Sequence, residues 1–86
     1  MEFIFTDRFK RSYKQLPKDV QKVLQKKLEL MSKDPRHPSL RTKKIQGTDK
    51  IFECSINMSI RLTWQYQGES IILRVIGPHD QVLDNP

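Results

Sequence analysis

A chain of 86 residues with 36% hydrophobic and 30% charged side chains has material for one core, so residues 1–86 are read as a single domain. Its net charge of +6 excludes neither stability nor solubility but directs the surface toward polyanions: nucleic acid, a ribosome or an acidic protein. The single cysteine excludes an internal disulfide, and no apolar run approaches the ~20 residues that span a bilayer.

The first residues, Met1 to Thr6, lack the basic and long apolar regions of a signal peptide. A cytoplasmic protein with no membrane partner is therefore expected. Two histidines and one cysteine at wide spacing match no zinc pattern, and three glycines form no phosphate-cradling loop. Neither a metal nor a cofactor is expected.

Residues 2–6 alternate weakly and are aromatic and β-branched, which predicts a short strand. Thr6 then caps a helix, with Asp7 in its first turn, and Phe9, Tyr13 and Leu16 form one apolar stripe. Pro17 separates this helix from a second over about 17–33, whose core face is Val20, Val23 or Leu24, Leu28 and Met31. Asp34-Pro35 and His37-Pro38 end it, because a residue before proline leaves the helical region. The result is a helical hairpin with a very short connection.

From residue 39 the period changes. Ser39 to Gln46 is mixed and basic, and Gly47-Thr48-Asp49 reads as a turn. Residues 51–57 and 59–66 alternate around Asn57-Met58-Ser59 and predict an antiparallel hairpin. Gln67-Gly68-Glu69 is a second turn, and Ile71 to Ile76 suits a central strand buried on both faces. The order β-α-α-β-β-β gives an α+β domain, with an N-terminal strand and a helical hairpin packed on a twisted, mostly antiparallel sheet.

Alternation also sorts the chemistry. Phe52, Cys54 and Ile56 share one face with Ile60, Leu62, Trp64 and Tyr66, leaving Glu53, Ser55, Asn57, Arg61, Thr63 and Gln65 on the other. If the helices cover the apolar face, these polar residues form an open patch, and a turn at Gly77-Pro78-His79-Asp80 delivers His79 to its rim. Arg61 is suited to phosphate, because a guanidinium is always charged and forks onto phosphate oxygens. Histidine changes charge near neutral pH and serves as acid or base, so His79 is a proton-transfer candidate, with Asp80 to orient it. Glu53 is the candidate for the complementary proton-transfer role, or else a cross-strand ion partner of Arg61.

Arg36, Arg41, Lys43, Lys44 and Lys50, with His37 nearby, border this patch and read as an RNA-facing group. A second basic group on the helices runs from Arg8 to Lys27, with Asp19 the one acid in residues 8–27.

Several segments in this order resemble the RelE/ParE superfamily of bacterial type II toxins. They are Phe5-Thr6 and Phe9-Lys10 opening a helical hairpin, Leu40 to Gly47, Glu53, Arg61-Leu62-Thr63-Trp64, and the terminal Gly77-Pro78-His79-Asp80. The likeness spans essentially the whole chain. In the RelE-like branch it implies a metal-independent endoribonuclease that cleaves mRNA in the ribosomal A site. It also implies a cognate antitoxin that forms a hetero-oligomer with the toxin and neutralises it.

Arg61 matches the family arginine that contacts the scissile phosphate, and His79 falls near its C-terminal catalytic position, with Glu53 and His37 near assisting ones. The chain departs from the lysine-using members, because Glu53 and Ser55 stand where their sheet lysines would lie, and it lacks the C-terminal aromatic residue that stacks a base. Two other functions fit the same likeness: a ParE-like inhibitor that binds DNA gyrase without catalysis, or an inactive antitoxin-binding relative.

Overall fold

The computed structural model describes all 86 residues. Strand β1 (Glu2–Phe5) leads into helix α1 (Asp7–Lys14), and the junction is fixed by one side chain. Thr6 Oγ1 accepts the Phe9 N–H at 3.1 Å and donates to the carbonyls of Leu73 and Arg74 at 2.7 and 3.1 Å. A helix cap is thereby also a tie to a strand 67 residues away. Helix α1 ends at Lys14, before Leu16, which is nevertheless buried in the connection to α2 (Lys18–Lys33).

After α2 come a 3-10 turn at Pro38–Leu40 and four strands: β2 (Lys43–Lys44), β3 (Phe52–Ser55), β4 (Ile60–Gln67) and β5 (Ser70–Pro78). The sheet order is β1-β5-β4-β3-β2, with β1 parallel to β5 and the other pairs antiparallel. The α+β architecture and the mostly antiparallel sheet are as the sequence predicts. Gly68, at φ +59°, turns β4 into β5 in a conformation that other residues adopt at a cost.

The two faces separate as alternation requires. Leu62, Trp64, Ile71, Leu73, Ile76 and Cys54 join Phe9, Leu24 and Met31 in one core. Arg61, Thr63 and Gln65 lie opposite Gly77, Val75 and Ile72 on the other face. Between Thr63 and Trp64 the register slips by one residue, and the extra residue, Arg74, bonds Gln65 Oε1 at 2.5 Å and the Pro86 carbonyl at 2.9 Å.

Four expectations need correction. The segment after Pro78 is a helix, α3 (His79–Asp84), rather than a plain turn, because Val82 finds a buried seat over Gly77. A Cβ at Gly77 would lie 3.6 Å from Val82 Cγ2, an ordinary van der Waals contact, so the helix packs closely here without requiring glycine. The polar face is therefore not fully open: Thr63 is buried, and its Oγ1 donates to the Pro86 carbonyl at 3.3 Å. Lys43 and Lys44 form a short edge strand that their composition did not signal. Finally, β5 is interior but fully buried along only one face, since α3 shields just part of the other.

Candidate active site

The β3–β4 connection places the guanidinium of Arg61. Asn57 Oδ1 accepts the backbone N–H groups of Ser59 and Ile60 at 2.9 and 2.8 Å, closing the turn. Arg61 Nη1 then donates to the Asn57 and Ile60 carbonyls at 2.7 and 3.2 Å. Its Nε lies 4.0 Å from Glu53 Oε1 on the neighbouring strand, which leaves Nη2 without a protein partner. The arginine is tethered on one side and free on the other.

Glu53 is 4% exposed although it belongs to the polar face. Lys43, brought alongside by the pairing of β2 with β3, sets its Nζ 3.8 Å from the same carboxylate oxygen. Glu53 also lines a cavity of about 420 Å³ with Lys43, Lys44 and Leu83 of α3. A buried carboxylate between two cations is electrostatically matched.

His79 sits at the start of α3. Its backbone N–H donates to the Ser59 carbonyl at 2.9 Å, pinning it beside the β3–β4 turn, two residues past the partner of Arg61 in the ladder. The side chain is 43% exposed, and Nδ1 lies 3.2 Å from Asp80 Oδ1. This histidine is free to meet a ligand and has its own carboxylate, but it touches neither Arg61 nor Glu53 directly.

The remaining candidates divide. Arg41 lines a cleft with Arg61, Ser55 and Asn57. Lys43 and Lys44 flank Glu53. His37 is engaged locally, its Nδ1 accepting the Ser39 N–H at 3.1 Å and so capping the 3-10 turn. Lys50 is exposed in the loop before β3, in none of these groupings. Sequence reasoning did not find the Lys43–Glu53 contact, because a two-residue strand has no period. It did not single out Ser39 or Met58 either. Asn57 was legible as a turn residue, but its carbonyl's hold on Arg61 was not.

Cys54, on the opposite face of β3, takes no part. Burial pushes its thiol up to about 12, so it stays protonated and inert at neutral pH.

No protein-family model and no curated protein matches the sequence. Solved structures do. One chain of the RelB–RelE antitoxin–toxin complex from Methanococcus jannaschii superposes with a TM-score of 0.79 at 19% identity, over 96% of this chain and 98% of that one. The chain has the RelE-like toxin fold. A second RelE-like match, within the intact E. coli RelBE toxin–antitoxin complex, has a TM-score of 0.73 at 21% identity, covering 90% and 94% of the two chains. The YoeB/ParE toxin from Agrobacterium tumefaciens gives 0.78 at 10% identity, covering 92% and 99%. At these identities the RelE-like fold is common ground, while chemistry has to be argued from the side chains.

Proposed function

We propose that the chain is the toxin of a type II toxin–antitoxin system, a metal-independent endoribonuclease that cleaves mRNA in the ribosomal A site. The observation that carries this reading is Arg61, held by Glu53 and two carbonyls while Nη2 stays free, on a strand whose neighbour ends at an exposed histidine.

Cleavage by the 2′-hydroxyl needs a base for that proton, stabilisation of the developing phosphorane charge, and an acid for the departing 5′-oxygen. The free edge of Arg61 serves the phosphate oxygens. His79 takes the 2′-hydroxyl proton at Nε2 while Asp80 holds Nδ1, and returns a proton to the departing 5′-oxygen. Glu53 is assigned to orienting Arg61, since its carboxylate meets cations rather than open solvent. So few groups suit an enzyme that depends on the ribosome to align the mRNA for in-line attack.

The cognate antitoxin is expected to complete a hetero-oligomer. The β1 edge of the sheet supports this, because Ile4 and Phe5 are exposed there beside the basic helix α1 and offer an unpaired strand edge to an acidic or amphipathic segment.

The test is cleavage of a defined mRNA on programmed ribosomes, mapped by primer extension, for wild type, Arg61→Ala and His79→Gln. Cuts at the A-site codon that vanish in both variants are expected. Cuts that persist in both variants would discard this site but keep the activity. Growth arrest without cuts would favour gyrase binding, a reading supported by the likeness to a YoeB/ParE toxin.

A further inference from the structure

A cleft of about 220 Å³ lies between the 3-10 turn and the β3–β4 turn, with Arg61 on one side and the rest of its lining outside the cleavage chemistry assigned above. Its lining includes Ser39, Arg41, Ser55, Asn57, Met58 and Arg61, and no carboxylate. The Arg41 guanidinium, the free edge of Arg61 and the Ser55 hydroxyl are donors around one small concavity that suit an anion with several oxygens, while the Ser39 hydroxyl is already engaged with His37 Nδ1 at 2.9 Å.

Two further observations narrow the ligand. Arg41 is the one non-glycine residue with a positive φ, at φ 51° and ψ 45°. That left-handed backbone is disfavoured for an arginine, and it is fixed by the Arg41 N–H donating to the Pro38 carbonyl at 3.1 Å and Thr42 Oγ1 donating to the Pro35 carbonyl at 3.1 Å. Met58, at the tip of the β3–β4 turn, is 96% exposed. A methionine fully in water beside a cationic cleft gives an apolar, deformable surface next to the anion site. A phosphate with a flat apolar group attached matches both parts.

We propose that this cleft seats a nucleotide of single-stranded RNA adjacent to the one that is cut, with Arg41 on its phosphate and Met58 against its base. The inference rests on the RNA-cleaving reading above, and the shared residue Arg61 supplies the continuity between the two phosphates. Met58, through its fit to the base, is then a specificity-determining residue.

The probe is a 2′-O-methyl trinucleotide, which keeps the phosphates and bases but cannot be cleaved. It is titrated into isotopically labelled protein by NMR, with wild type, Arg41→Gly and Met58→Ser compared. Arg41→Gly suits this backbone position, because glycine adopts positive φ freely, and Met58→Ser alters an exposed side chain, so both variants keep the fold.

Amide shifts at Ser39, Arg41, Ser55, Asn57 and Met58, continuing onto Arg61, are expected. Binding should weaken roughly tenfold in Arg41→Gly, and the dependence of log Kd on log salt should lose a slope of about one phosphate contact. Met58→Ser should cost about threefold and change the preference among bases. Binding without shifts at Arg41 and Met58, or variants equal to wild type, would overturn the cleft and leave RNA cleavage standing. Equal competition by hexaglutamate would assign the cleft to an acidic peptide instead. Absence of binding would also overturn it, while the ribosome assay decides independently whether the chain is a nuclease.

Discussion

Replacing Arg61 by alanine removes the more deeply seated of two cations from a carboxylate with almost no water around it. Glu53's side chain is 6% exposed and Arg61's is 18%, whereas Lys43's, at 70%, is largely solvated. At 4.0 Å the attraction is about 4 kcal/mol for an effective dielectric of 20. Lys43 remains and water enters the space vacated, so Arg61→Ala should cost about 2 kcal/mol, below the 3–5 typical of a broken buried pair.

Glu53→Gln leaves a neutral amide in the same volume and should cost about 1 kcal/mol. In the double variant the stranded charge is gone, so the two losses should fail to add by about 1 kcal/mol. Urea unfolding at neutral pH measures all four corners of the cycle, provided that the slope with denaturant is constant. Additive losses within about 0.3 kcal/mol would refute the claim that Glu53 holds Arg61. In the ribosome assay, Glu53→Gln should lower cleavage without abolishing it, because Arg61 keeps its two carbonyl tethers.

Thr6→Ala removes a cap and two bonds to β5, and should lower stability by about 1–2 kcal/mol, while Thr6→Ser should restore most of it; equal urea midpoints for all three would contradict the tie. For Cys54 the folded thiol titrates near 12 against an ordinary value of 9.0, with burial as the main cause. Below pH 9 both states keep the proton and the contribution is flat; between 9 and about 12 only the unfolded chain loses it. Stability should therefore fall by about 1.4 kcal/mol per pH unit across that window, relative to Cys54→Ala, in which lysine and tyrosine titration is shared. Parallel pH profiles would show that the thiol is solvated. Asn57→Ala opens the β3–β4 turn and should cost about 1–2 kcal/mol while lowering cleavage by displacing Arg61, whereas Asn57→Asp should preserve the turn. Urea midpoints and the ribosome assay on both variants check this, and full cleavage by Asn57→Ala would contradict it.

Periodicity determined which face each residue of β3 and β4 would take, because successive side chains of a strand alternate by geometry alone. That put Arg61 with Glu53 and Thr63, and Cys54 with Trp64, before any contact was known. Thr6 and Pro17 marked the helix boundaries for equally local reasons, a side-chain acceptor and a missing N–H.

What tertiary structure decided is which polar residues lost their water. Thr63 reads as exposed until the C-terminal residues settle across it, and Glu53 until Lys43 and Arg61 flank it, and a six-residue helix such as α3 has too little period to announce itself. The placement of Arg41 beside Arg61 likewise depends on a left-handed backbone and a turn from another part of the chain. Local pattern encodes direction, whereas burial and the meeting of charges depend on what the rest of the chain brings to each surface.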